Sequence, residues 1–154
     1  MNNEKRIGYI QNGIVIDHIP RGRIWNIVHI LGIDKLDDGR ISLGEGYEST
    51  KLKNGKGILK VEGITLSDSQ LNYIALIAEG ANVSFIQDGE VKEKINVKIP
   101  SRLEGIVACT NQGCISKDNY QKAPSIIDYN FETEKFRCHY CHHTFGKNEV
   151  EVLV

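Results

Sequence analysis

The chain contains four cysteines, in two tight pairs near its C-terminus: Cys109 with Cys114, and Cys138 with Cys141. A C-x4-C pair, a spacer long enough for a hairpin and a C-x2-C pair present four thiolates to one tetrahedral metal ion. In each pair a turn aims two sulfurs at a common point, and the spacer brings the second pair round to the first. Thiolates suit Zn²⁺, and a closed four-sulfur shell leaves no open coordination position, so one structural zinc is expected. Redox iron accepts the same ligand set and stays open as an alternative. His139, His142 and His143 lie beside the second pair, but four cysteines already fill a tetrahedron. Unrelated core thiols have no reason to gather in two knuckles. Disulfides are disfavoured because Met1 to Tyr9 is charged and lacks the apolar core of a signal peptide, which points to a reducing cytoplasm.

At 154 residues the chain is long enough for one domain or two small ones. No apolar run approaches the ~18 residues of a membrane span. Residues 1–99 carry 13 basic and 13 acidic side chains, and residues 100–154 carry 6 and 7, so neither half has the basic excess of a protein that neutralises many phosphates. The cysteine-bearing part is too small to bury a comfortable core by itself. A structural zinc contributes an apparent ~10–16 kcal/mol to folding such a module at neutral pH.

The remaining pattern predicts a split βαβ module. Residues 14–19 read as a strand ending at Pro20. Ile24, Ile27, Val28 and Leu31 follow at helical spacing, with Gly32 where a helix C-terminus favours a left-handed residue and Trp25 assigned to helix packing. Ile41 and Leu43 predict a short strand before the glycine-bearing stretch 44–57, and Ile58 to Val61 another strand. Ser67 and Gln70 form a capping box ahead of a helix with Leu71, Ile74, Ala75 and Ala78 on one face and Gly80 at its end. Val83 to Ile86 predicts a strand, and Asp88-Gly89 a hairpin turn. In the last strand Val91, Ile95, Val97 and Ile99 share one side, with Glu93 the exception, while Lys92, Lys94, Asn96 and Lys98 take the other.

The expected fold class is therefore α+β, a ferredoxin-like antiparallel-rich sheet with two helices on one face, followed by a small all-β four-cysteine domain. Pro100-Ser101 marks the boundary, giving domains 1–99 and 100–154. In the second, Ser125 to Phe131 and Phe136 onward flank a polar turn, a hairpin that delivers Cys138 and Cys141, and Val150, Val152 and Val154 suggest a closing strand.

That pairing of modules, with Asn12-Gly13-Ile14-Val15-Ile16-Asp17-His18-Ile19-Pro20 in front and Cys109-Thr110-Asn111-Gln112-Gly113-Cys114 behind, resembles the regulatory chain of aspartate carbamoyltransferase along essentially its whole length. The resemblance implies a non-catalytic subunit. Its N-terminal module would bind nucleoside triphosphates, CTP as feedback inhibitor and ATP as activator, with UTP reinforcing CTP in some members. Its zinc module would dock on the catalytic chain that makes carbamoyl aspartate in pyrimidine synthesis. Regulatory chains would pair as homodimers through their nucleotide modules and bridge catalytic trimers.

The resemblance also implies site residues. A triphosphate needs converging cations, which lysine supplies as point charges. Lys56 and Lys60 are four apart, so in an extended segment they point the same way. Lys60 and Lys94 match phosphate-contacting lysines of the family, and Asp17 and His18 its acidic and imidazole pair near ribose and phosphate. Adjacent on a strand, those two normally face opposite sides, and they reach one ligand only at a strand's end or edge. Backbone groups near Ile10, Ile86 and Gly89 would read the base between the apolar walls Val15 and Val91. Ser84 stands where well-known members carry asparagine and Gly89 where they carry tyrosine, so the resemblance does not carry over the balance of CTP over ATP. Ser84 is shorter and lacks the amide's two-way hydrogen bonding, whereas Gly89 keeps the carbonyl. Neither a P-loop nor GxGxxG is present.

Two rival classes are weaker. A zinc ribbon acting on nucleic acid needs a basic patch with interleaved aromatics, which the near-neutral second module does not supply. An enzyme needs a nucleophile or base that four metal-bound cysteines and an unpartnered Asp17–His18 pair do not provide, and the zinc-deaminase signature is absent.

Overall fold

The computed structural model describes residues 10–36 and 39–153. The chain divides into two compact units, residues 1–98 and 99–154.

The first unit runs β1 (Gly13–Pro20), α1 (Ile24–Ile30), β2 (Ile41–Tyr47), β3 (Lys56–Glu62), α2 (Asp68–Ile77), β4 (Asn82–Gln87) and β5 (Glu90–Asn96). The strands form one sheet in the order β2-β3-β1-β4-β5, and every neighbouring pair is antiparallel. Strand alternation decides the two faces. Ile14, Ile16, Leu59, Val61 and Val83 are fully buried on the face that carries the helices, joined by Ile24, Ile27 and Val28 of α1 and Ile74 and Ala75 of α2. Burying each large aliphatic stabilises the unit by about 1.5–3 kcal/mol. The helices pack on each other, and Gly57 of β3 leaves room for Ile24, whose Cδ1 would lie 3.4 Å from a Cβ placed there.

The expected helix signals operate as read. The Ser67 hydroxyl accepts the Gln70 N–H at 3.2 Å and the Gln70 side chain accepts the Ser67 N–H at 2.9 Å. Gly32 sits at φ 66° beyond α1 and Gly80 at φ 88° beyond α2. Asp88 (φ 53°) and Gly89 (φ 77°) form the two-residue turn between β4 and β5, both central residues in the left-handed region such a hairpin requires.

Three expectations are corrected in this unit. Trp25 does not pack: it is 62% exposed, because α1 is only seven residues long and turns Ile24, Ile27 and Val28 inward, leaving the next position to face away. β2 does not stop at Leu43 but continues through Gly44 to Tyr47, and β3 begins at Lys56. Gly44 permits this by leaving space for the Tyr47 ring, which a Cβ would meet at 2.5 Å. The simple alternation of the last strand fails as well. Phe85 pairs with Glu93 but Ile86 pairs with Val91, so Lys92 is an extra residue in β5 and the side-chain parity reverses across it. Val91 therefore shares a face with Lys94 instead of opposing it.

The second unit has its own sheet in the order β6-β7-β8-β9, formed by β6 (Arg102–Glu104), β7 (Ile126–Asn130), β8 (Lys135–Cys138) and β9 (Thr144–Gly146). The β7–β8 hairpin forms as expected, although Phe131 belongs to its turn and is 58% exposed. The expected closing strand is, among the described residues, a single bridge from Val152 to Val107, and Lys147–Glu149 is a short 3-10 turn; Val154 lies outside the described residues. The core is small, with Tyr129, Phe136 and Phe145 stacked in sequence at centroid distances of 4.8 and 5.5 Å.

Ser67→Ala removes one half of the reciprocal cap and is expected to destabilise α2 by about 1 kcal/mol. This would lower the thermal midpoint of the N-terminal unit by about 4–8 °C, read by circular dichroism. An unchanged midpoint would show that the cap carries no stability.

Candidate functional site

Opposite the helices, the first sheet presents a polar face built by pairing register. Ser42 of β2, Lys60 of β3, Val15 of β1, Ser84 of β4 and Lys94 of β5 are successive cross-strand partners and form one row across all five strands. Three inter-strand steps separate the backbones of Lys60 and Lys94, about 14 Å, a span that two lysine side chains leaning inward can close over Val15 and Ser84. Ile10, Val15, Ile58 and Ile86 form a buried apolar cluster with Tyr47 packed against it; Ile58 and Tyr47 lie toward Lys56, and Ile86 lies toward the β4–β5 turn. Val91, opposite Ile86, extends that end and is 49% exposed. Gly89 donates its N–H to the Gln11 carbonyl at 2.9 Å, which ties the turn to the segment before β1.

At the other end of β1 a bulge solves the problem posed by two adjacent residues. Ile16 pairs with Leu59 and Ile19 with Gly57, so Asp17 and His18 together oppose Ile58. His18 takes φ 63°, a left-handed conformation that turns its ring to the same side as Asp17. Asp17 Oδ1 accepts the His18 backbone N–H at 2.6 Å and lies 3.7 Å from its Nδ1. The Lys56 ammonium contacts both Asp17 oxygens, at 3.0 and 3.2 Å. His18 Nδ1 lies 3.0 Å from Asn82 Nδ2. Partial burial lowers the His18 pKa most; Asp17 raises it, and Lys56, Lys51 and Lys94 lower it further, leaving the imidazole below its ordinary value.

All the residues singled out in the first unit thus belong to this face or its rim: an apolar end (Ile10, Val15, Ile86, Val91 and Gly89) and a cationic end (Asp17, His18, Lys56, Lys60, Ser84 and Lys94). Lys56 and Lys60 are both buried. Sequence reasoning missed Ile58, Tyr47, Asn82, Asn96 and Lys51. Ile58 shares the parity of Lys56 and Lys60, and Asn82 that of Ser84, so the same alternation could have found them. Lys51 sits in the β2–β3 connection and carried no such signal. One carboxylate among four lysines leaves a net positive site, suited to a polyanion whose other end is apolar.

In the second unit the Cys109–Cys114 turn follows Val107, and Cys138 closes β8. The Cys114 N–H bonds the Asn111 carbonyl at 3.1 Å, and the Asn111 N–H points at the Cys109 sulfur at 3.4 Å. In the second knuckle the His142 N–H bonds the Cys138 carbonyl at 3.0 Å. The four sulfurs all lie within 4.8 Å of one another, with Cys109–Cys141 and Cys114–Cys138 each at 3.6 Å. Four thiolates 2.3 Å from one zinc in a tetrahedron stand about 3.8 Å apart, so the set fits a single zinc ion. His139, His142 and His143 are exposed and outside the cluster.

Without a cation, burial pushes the Cys109 thiol up to about 12 and raises Cys138 as well. Burial opposes Cys141 too, but the His143 backbone N–H, Asn111 and the neighbouring thiols outweigh it and bring Cys141 down to about 6. Zinc must therefore displace protons from Cys109 and Cys138. Acidification from pH 8 to pH 6 is expected to weaken zinc retention against a chelator, followed by a colorimetric zinc indicator. Retention that is flat with pH would contradict thiolate ligation. Cys138→Ala is expected to unfold residues 99–154 while the N-terminal unit keeps its circular dichroism and melting transition, and a folded C-terminal unit in that variant would rule out a structural role for the cluster.

Comparison with known proteins bears on both units. A family model described as aspartate carbamoyltransferase regulatory chain, allosteric domain, matches residues 5–98, and one described as the metal binding domain of the same chain matches residues 101–151. The aspartate carbamoyltransferase regulatory chain of Thermococcus kodakarensis is 39% identical, over 97% of each chain. That of Pyrococcus furiosus is 40% identical over 96% of each, and that of Sulfolobus acidocaldarius 34% over 96% of this chain and 89% of its own. With both units matched and the four-sulfur cluster in the matched metal domain, this chain belongs to the family of aspartate carbamoyltransferase regulatory chains.

Proposed function

We propose that this chain senses nucleoside triphosphates on the face of its N-terminal sheet opposite the helices and passes the result to the catalytic chain of aspartate carbamoyltransferase through its zinc unit, in the cytoplasm. The observation that carries this reading is the cationic row: Lys60 and Lys94 flank Val15 and Ser84, while Asp17 and His18 stand one step along β1 and Lys56, ion-paired with Asp17, two steps along β3. The triphosphate lies against the lysines and His18, the ribose near Asp17, and the base between Val15 and Val91, read by backbone groups of Ile10, Ile86 and Gly89. The bulge at Lys92 supports this arrangement, because it lets Val91 and Lys94 serve one ligand.

CTP and ATP compete for this site, CTP as inhibitor and ATP as activator. A nucleotide shifts the holoenzyme between low- and high-activity states by no more than its differential affinity for the two. Two such chains pair through their N-terminal units and bridge catalytic trimers. The zinc ion itself does no chemistry; Cys109, Cys114, Cys138 and Cys141 hold the unit in the shape that docks on the catalytic chain. The near-neutral charge of the second unit argues against the rival nucleic-acid reading.

Lys60→Ala and Lys94→Ala each remove a charge-assisted contact of about 1.5–3 kcal/mol, so CTP and ATP affinity should fall by about tenfold or more in calorimetric titration. Lys98→Ala should leave affinity within about twofold, because Lys98 is exposed beyond the end of β5 and stands for a solvated surface lysine. Equal affinities in all three variants would contradict the proposed site. Size-exclusion chromatography with the catalytic trimer should show zinc-dependent assembly, and the absence of association by zinc-loaded chain would contradict the partner.

A further inference from the structure

A chain of hydrogen bonds behind His18 settles which of its ring nitrogens bears the proton. The chain starts at the carbonyl of Gly80, just past α2, an atom that can only accept. Asn96 Nδ2 lies 2.8 Å from it, which fixes the Asn96 carboxamide with its amino group toward Gly80. The same amino group lies 3.0 Å from Asn82 Oδ1. Rotating the Asn82 amide would set two amino groups against each other, so Asn82 must turn its own Nδ2 toward His18. That nitrogen stands 3.0 Å from His18 Nδ1, which is therefore the acceptor. The remaining proton sits on Nε2. Lys51 Nζ donates to the second lone pair of the same Gly80 carbonyl at 2.6 Å and strengthens the anchor.

We propose that Asn82 and Asn96 are positioning residues that hold His18 as a neutral imidazole protonated on Nε2, so that the ring offers an anionic ligand a directed N–H and not a charge. This rests on the nucleotide reading of the same face, where the ligand is a phosphate oxygen. A second proton on Nδ1 would put two N–H groups face to face. Relieving that contact means flipping Asn82, which then clashes with Asn96, which Gly80 holds in place. The charged groups around the ring act with the network. Lys56 on β3, Lys94 on β5 and Lys51 in the β2–β3 connection oppose a second proton, and Asp17 on β1 alone favours it. The lysines supply the charge for phosphate, and His18 supplies direction at unchanged strength across the physiological pH range.

The test uses the full-length, zinc-loaded chain with nitrogen-15-labelled histidine, the His18 signals being assigned by their loss in His18→Gln. The expected wild-type spectrum shows protonated Nε2 and bare Nδ1 at pH 7.5. Asn96→Ala frees Asn82 to rotate without touching His18, and should give a mixture of tautomers and a raised His18 pKa. Asn82→Asp, whose carboxylate accepts only, should move the neutral proton to Nδ1. Its Kd for CTP, taken as a ratio to wild type so that titration of CTP itself cancels, should be about tenfold weaker at pH 8 and recover toward pH 6. A wild-type ring protonated on Nδ1, or a tautomer and pKa unchanged in Asn96→Ala while wild-type CTP affinity is normal, would overturn this proposal alone. Failure of wild-type chain to bind either CTP or ATP would instead overturn the nucleotide reading, and with it the role given to the Nε2 proton.

Discussion

Four sulfurs held within 4.8 Å of one another, three of them on buried residues, form an arrangement that a cation stabilises and that protons or bare thiolates oppose. Two bare thiolates in contact repel, and two thiols in contact give up hydration for a weak hydrogen bond. The small β-unit around them has a modest core, Tyr129, Phe136 and Phe145 with Leu103, Val107 and Ile127, and a metal supplying an apparent ~10–16 kcal/mol changes its folding balance outright. In the proposed function, docking on the catalytic chain therefore depends on zinc being in place.

The first unit depends on a different device, the β-bulges of β1 and β5. An unbroken antiparallel sheet offers one face to every second residue. The extra residue at Asp17–His18 puts a carboxylate and an imidazole on the same side, and the extra residue at Lys92 puts Val91 beside Lys94. Together they concentrate donors and cations at one end of β1, beside Ile58, and leave Ile10, Val15 and Ile86 of the same apolar cluster toward the other. Such a face is chemically asymmetric along its length, as a nucleotide is. The helices pack on the opposite face and give it the rigidity that a binding surface built from side chains on strands requires.

How much of this was legible follows from the range of each signal. The four cysteines, the Ser67–Gln70 cap, the Asp88-Gly89 turn and the left-handed Gly32 and Gly80 are decided within a few residues, and each formed as its local chemistry requires. The bulges are decided between strands. Nothing in Ile16 to Ile19 states that β3 will skip a position opposite, and the clean alternation from Val91 onward points to the wrong parity for Val91. Tyr47 joins the apolar cluster because β2 continues through two glycines that look like a loop and bulges there, with Gly44 opposite Ile58 and Tyr47 opposite Lys56. Trp25 looks like a packing residue by its chemistry, but the angular position of Ile24, Ile27 and Val28 decides otherwise. Asn82 and Asn96 are ordinary polar residues until cross-strand register makes them neighbours.

The central claim is that occupancy of the N-terminal sheet alters the work of another chain. Its most direct test is the aspartate saturation curve of the holoenzyme, reconstituted from this chain and the catalytic trimer of the same source, recorded with saturating CTP, with ATP and with neither. CTP should move half-saturation to higher aspartate and ATP should move it to lower, and both effects should vanish when the regulatory chain carries Lys60→Ala with assembly intact. Superimposable curves from an assembled, nucleotide-bound holoenzyme would contradict that claim.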